Sequence, residues 1–321
     1  MTNSLGIFFA LMTTLSWSIG IFPFTQAARR LGSNSLNHFR LLLATCLLTI
    51  VSLLIDTHSF IQLFTSNYLQ AWLWLGLSGI VGLTIGDYFA FKMYAILGAR
   101  IGSVLSTLAP AATLLLGSLL IGEHISWIGI LGIIITIYGV INISLGKRER
   151  NLIPDHGHGN ISKGIIFGIL AALCQGAGLV MAKKGFMAEQ QLSQSLHPFH
   201  ATFIRLTIAT SSLILLSLVT GKISDVIKPL KANKDHGIKY AVMGTLFGPF
   251  LGVSLSLYSV TLIDASVAQT IFSLVPVVAL LFSWLFMKDK ISLQSLIGVV
   301  VAICGVVILI WRDIIFQKFF G

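Results

Sequence analysis

Apolar residues run in long unbroken stretches along this chain, separated by short polar connections. A helix that crosses a bilayer needs about 20 apolar residues at 1.5 Å per residue. Ten stretches reach that length: 5–27, 36–55, 70–95, 100–121, 126–145, 164–182, 199–219, 240–262, 266–287 and 291–311. The pattern predicts an all-α membrane protein with ten transmembrane helices. The longer connections are 56–69, 146–163, 185–198 and 220–239. Of these, GKRERNLIPDHGHGNISK (146–163) is rich in charge, Gly and Asn and reads as a polar linker between halves.

The halves match each other. Residues 98–142 slide onto 264–308 without a gap at an offset of 166. Pro110 then falls on Pro276, Glu123 on Asp289, Gly132 on Gly298 and Gly139 on Gly305. Arg40 meets Arg205 at an offset of 165, Gly82 and Gly86 meet Gly248 and Gly252 at 166, and the first helix meets the sixth at 158, with Trp17 on Gln175. The offset changes only in connections. Two copies of one five-helix unit are therefore expected, 1–145 and 164–321, joined by 146–163. Five is odd, so the second copy starts from the opposite face of the membrane. The halves are then inverted repeats, an arrangement of secondary transporters that bind substrate between the copies.

Composition agrees. The chain is 55% hydrophobic and 10% charged, against about 25% charged in soluble domains, so lipid must solvate most of its surface. Met1–Leu5 carries no positive charge and the run after it is too long for a signal peptide; it is read as the first span. Cys46, Cys174 and Cys304 sit inside apolar runs and read as packing residues. The net charge of +10 is confined to connections, which excludes a nucleic-acid reading in favour of topology determinants. Asp155, His156 and His158 lie in the linker without fixed geometry, so no metal site is expected.

These motifs, in order and duplicated, resemble the EamA-type members of the drug/metabolite transporter superfamily. The resemblance rests on Trp17, Arg40, Gly82 and Gly86 ahead of FKMYAIL (91–97), Pro110, Gly122-Glu123, and Gly132 with Gly139. The second half answers with Arg205, Gly248, Gly252, Pro276, Asp289, Gly298 and Gly305, and departs from the pattern at Gln175 and Asp289. The resemblance implies a ten-helix transporter moving small metabolites, amino acids or drugs, often outward, with both termini cytoplasmic.

Candidate chemistry lies where polar groups enter the spans. Asp87 is the one acid deep in a run, and its repeat mate is Val253. On an α-helix Thr84, Asp87 and Tyr94 share a face. Asp87 is read as a substrate or proton site, or else as an ion-pair partner of Arg40 or Lys92. Arg40 and Arg205 either snorkel to the interface or hold an anionic group. Trp17, Gln175 and Tyr258 complete the candidate cavity. Pro110 and Pro276 each free the carbonyl four residues back, at Ser106 and Phe272, and are candidate hinges. Glu123 and Asp289 precede the serines 126 and 292 and read as structural caps.

Two warrants disagree on orientation. Connections on the N-terminal side carry four Lys and Arg, and those on the other side carry fourteen. The charge rule puts both termini outside, against the resemblance, and is preferred because it is a property of this chain. The expected function is a multi-pass secondary transporter of the plasma or inner membrane, exporting a small molecule by alternating access, with proton coupling open. It is expected to be a monomer or homodimer with no cofactor, no nucleic acid and no obligatory protein partner. The alternatives are a non-transporting scaffold and an intramembrane enzyme, the latter opposed by the lack of a second deep acid.

Overall fold

The computed structural model describes residues 4–90, 92–93, 96, 105–144, 161–191, 196–287, 293–312 and 314–315. Tyr94, Asp289 and most of the linker lie outside them. Among the described residues the chain is helical, without strands. The main helices are α1 (Ser4–Leu31), α2 (Ser33–Ile55), α3 (Leu69–Gly79), α4 (Ala109–Ile121), α5 (Trp127–Ser144), α6 (Ile161–Gln191) and α7 (Pro198–Val219). They are followed by α8 (Gly237–Thr245, continued by Val253–Leu262), α9 (Ala265–Phe272), α10 (Val275–Met287) and α11 (Leu293–Ile310). Among the described residues seven helical runs are long and apolar enough to cross a membrane, and Ala109–Ile121, Trp127–Asn142 and Ala265–Ala279 are shorter apolar helices.

Two irregularities recur at the repeat spacing. α3 passes into a π-helix over Ile80–Gly86, and α8 does so over Leu246–Gly252, 166 positions later. π turns are rare and concentrate at functional sites. The helix also breaks twice, at Thr107-Leu108 and at Ser273-Leu274, again 166 apart. Each break stands just ahead of a proline. A continuous kinked span was expected with the proline inside it. Instead Pro110 and Pro276 each sit in the first turn of a new helix, where the missing N–H costs nothing. Thr14 and Ser18 of α1 donate to the carbonyls of Ile271 (3.0 Å) and Val275 (3.2 Å), so the broken α9–α10 backbone finds partners in a neighbour.

Packing pairs elements of one half with elements of the other. α1 lies on α8, and α3 lies on α6. Gly20 of α1 meets the backbone of Gly248, and its repeat mate Gly178 meets Gly82. α2 lies on α7, where the repeat mates Thr45 and Thr210 bond to each other through their hydroxyls at 3.0 Å. α5 and α11 cross closely. A Cβ at Gly132 would fall 2.8 Å from the Gly305 carbonyl oxygen, and one at Gly139 would fall 2.7 Å from the Gly298 oxygen. As residue numbers rise along α5 the facing numbers on α11 fall, so the two helices run antiparallel. Small residues set this approach because backbones in lipid gain from close contact rather than from expelling water.

Candidate functional site

A cavity of about 380 Å³ lies where both helix breaks and both π-helices converge. Its wall is mostly apolar, with Trp17, Phe24, Leu83, Val253, Phe272 and Pro276 contributing. Polar groups enter from Arg40, Asp87, Gln175, Gln269, Ser106, Thr107 and Ser273. A few polar groups in an apolar wall of this volume suit a small organic molecule. The carbonyl residues expected to be freed by the prolines, Ser106 and Phe272, both lie on this wall.

The polar centre is an ion pair between Arg40 Nη2 and Asp87 Oδ2, each side chain exposing about an eighth of its surface (12% and 13%). Arg40 is aimed from behind, because its Nε donates to Asn37 Oδ1 at 2.8 Å. Gln175 Nε2 donates to Asp87 Oδ1 at 3.2 Å and to the Gly82 carbonyl at 3.4 Å. Of the two ion-pair partners expected for Asp87, Arg40 is the one it meets, and Asp87 also lines the cavity. Trp17 is held with its indole Nε1 against Gly252, where a Cβ would lie 2.2 Å away, and its ring edge meets Phe272 with centroids 5.2 Å apart. Gln175 and Gly86 repeat that pairing in the other half.

Other candidates lie elsewhere. Thr84 bonds to the Ala209 carbonyl (3.1 Å) and Ser212 Oγ (2.8 Å) on α7, away from the cavity. The π turn explains this: an extra residue per turn rotates Thr84 off the face that Asp87 occupies. Tyr258 bonds through its hydroxyl to His197 Nε2 at 2.7 Å and stacks on Phe9, near the end of the bundle where α1 begins. Burial and the neighbouring His200 lower the His197 pKa, which keeps the ring neutral at physiological pH. Arg205 is buried beside Gly79 and Gly82 behind the cavity wall. Thr107 and Ser273 were legible as a pair, since each is a hydroxyl residue three places before a repeated proline.

A further cluster of charged residues lies outside the cavity. Lys183 Nζ donates to Glu123 Oε1 (2.8 Å) and the Ile263 carbonyl (2.9 Å) and lies 3.6 Å from Asp264 Oδ1. Arg312 Nη2 bonds Asp264 Oδ2 at 3.1 Å. Glu123 also accepts from the Ala265 N–H at 2.7 Å and Ser266 Oγ at 3.1 Å. Glu123 is thus a helix cap, but of α9 in the other half rather than of its own next helix. That helix is capped by Ser126, which accepts from Gly129 N–H. Gly122 turns the chain with φ +67°, and Gly117 leaves room for the carboxylate, since a Cβ there would be 3.0 Å from Glu123 Oε2. Gly6, near the start of α1, packs on Leu262 and Ile263 beside this cluster. Trp17 is eleven residues, about 16 Å, further along α1. The cluster therefore closes the end where α1 begins, and the cavity extends from mid-bundle toward the other end.

A multi-span helical membrane protein with a central, mixed-character cavity is the class this architecture defines. The chain belongs to the EamA-like transporter family, whose model matches residues 4–145 and 162–311. An uncharacterized transporter of Synechocystis is 24% identical over 252 residues, covering 76% of this chain and 73% of that protein. An uncharacterized transporter of Buchnera aphidicola is 28% identical over 127 residues, 40% of each chain. A solved crystal structure superposes with a TM-score of 0.69 at 13% identity, over 99% of this chain and 100% of that one, a likeness of fold alone.

Proposed function

We propose that this membrane transporter is a secondary transporter of ten spans in two inverted repeats, exporting a small molecule by alternating access. The carrying observation is the pairing of a cavity that extends toward one end of the bundle with an ion-paired cluster that closes the other. Antiparallel α5 and α11, the self-paired Thr45 and Thr210, and the exchange of α1–α8 contacts with α6–α3 contacts support the inverted relation. Seven long helices and three shorter apolar ones support ten spans. Glu123 belongs to one half, and Lys183, Asp264 and Arg312 to the other, so separating the halves at this end must break the cluster.

The test is accessibility from each side. In protein lacking Cys46, Cys174 and Cys304, Ser106→Cys reports on the cavity. Labelling from both faces of sealed vesicles is expected, with the α1-start face slow. Glu123→Gln removes one of the two charges facing Lys183, leaving it the Asp264 carboxylate that Arg312 shares, and is expected to speed labelling from that face roughly tenfold, equivalent to about 1.4 kcal/mol. Labelling from one face only, unchanged by Glu123→Gln, refutes alternation.

Orientation follows the charge count, with both termini outside and the cavity extending toward the cytoplasm, where a substrate for export would enter. A reporter fused after Gly321 should be active outside. Cytoplasmic-only activity would reverse the assignment.

A further inference from the structure

Among the described residues, Arg40, Arg205 and Asp87 are charges at membrane depth around the cavity that do not cancel. Arg40 and Asp87 pair. Arg205, the repeat mate of Arg40, is 4% exposed, and its Nε meets no acceptor. The carboxylate whose field reaches it is Asp87, which is already engaged by Arg40 and Gln175. The position that would carry a second acid by symmetry is Val253, and it is apolar and lines the same cavity. Two guanidinium groups thus stand near one carboxylate that is bonded to Arg40 and not to Arg205, in a region of low dielectric where an unbalanced charge is strongly unfavourable.

We propose that the cavity takes an amphipathic organic monoanion, a carboxylate with an apolar body, and that its charge completes this balance. The claim about binding stands on the site, and only its movement rests on the transporter reading. One negative charge brings the group of Arg40, Arg205 and Asp87 to neutrality. A dianion overshoots, and a cation adds to the excess. Arg40 lines the cavity and is held by Asn37, so a ligand carboxylate and Asp87 are alternative partners for the same guanidinium. Trp17, Phe24 and Phe272 offer the apolar wall against which the body of the ligand packs.

The probes are straight-chain and phenyl-substituted carboxylates, each beside its own amide and its own amine. The readout is the melting temperature of the purified full-length protein in detergent. At least one carboxylate should raise it by about 3 °C or more at saturation while its amide and amine do not. Val253→Asp, which fixes a carboxylate at the mate of Asp87, should abolish that shift, and Val253→Asn should keep it. Arg205→Gln should erase the preference for carboxylate over amide, and Asp87→Asn should enlarge the carboxylate shift by freeing Arg40. The melting transition without ligand shows that each variant is folded. Equal shifts for carboxylates and amides, larger shifts for amines, no shift by any carboxylate, or an undiminished shift in Val253→Asp would each overturn the assignment. Binding is read here without flux, so failed alternation in the labelling assay and failed anion binding are separate results.

Discussion

Gly139→Leu is expected to abolish recovery of folded protein. The Cβ alone would lie 2.4 Å from the Ala302 amide nitrogen and 2.7 Å from both Ala302 Cα and the Gly298 oxygen. All three are backbone atoms of α11, so no side chain can swing aside. Either the helices separate or the crossing shifts along its axis. Separation also opens the reciprocal contact, where Gly305 lies against Thr136 nitrogen and the Gly132 oxygen. Overpacking in a close-packed interior costs about 1–3 kcal/mol for a methylene or two, and a branched side chain against backbone exceeds that range. Gly139→Ala should already lower the melting temperature. Ile134, on the same helix, is 56% exposed toward the surrounding lipid, so Ile134→Ala should leave the protein folded. Size-exclusion profiles and melting temperatures of the three variants decide it. Equal behaviour of Gly139→Leu and Ile134→Ala would mean that this crossing does not hold the fold.

That result concerns a feature the sequence carried openly. The spacing of Gly132 and Gly139, repeated at Gly298 and Gly305, already implied a close helix approach. What the pattern could not say is that the two copies face each other. Long apolar runs mark where helices lie, but in lipid every face can be apolar, so the run has no phase. The same loss of phase hid both π-helices. Reading Thr84 and Asp87 as one face assumed a constant helical period, and the π turn between them broke it. Glu123 shows a second kind of gap. An acid in an elbow beside a capping serine reads as a local feature, yet its carboxylate reaches across the molecule to the N-terminus of α9. Only tertiary placement brings Lys183 and Asp264 to it. The paired helix breaks were half legible, because both prolines were in register while the partners of the interrupted backbone, such as Thr14 and Ser18 at the second break, come from another helix.

Asp87→Asn is expected to remove transport driven by a pH gradient while leaving expression and folding intact. The replacement keeps the shape of the side chain, and Gln175 still has an oxygen to donate to. Arg40 keeps its bond to Asn37. What is lost is the titratable group of the cavity and the charge that answers Arg40. If transport is coupled to a proton at this residue, the coupling runs through Arg40: protonating Asp87 releases the guanidinium to the ligand carboxylate, so that proton and ligand are carried together, and deprotonating it reclaims the guanidinium. A carrier without the titratable group still exchanges substrate for substrate but cannot convert a proton gradient into accumulation. The solute to use is the one that overproducing cells release and deficient cells retain, identified by metabolite profiling. In proteoliposomes loaded with it, the Asp87→Asn protein should show equilibrium exchange near the unmodified rate, with pH-driven flux at the level of empty vesicles. Retained pH-driven flux would eliminate Asp87 as the coupling group and leave it a fixed counter-ion for Arg40. Loss of both fluxes in a folded protein would instead make it part of substrate binding. The two activities separate these roles because only coupling requires the side chain to change its charge, whereas Arg40 stays oriented in the variant by its bond to Asn37.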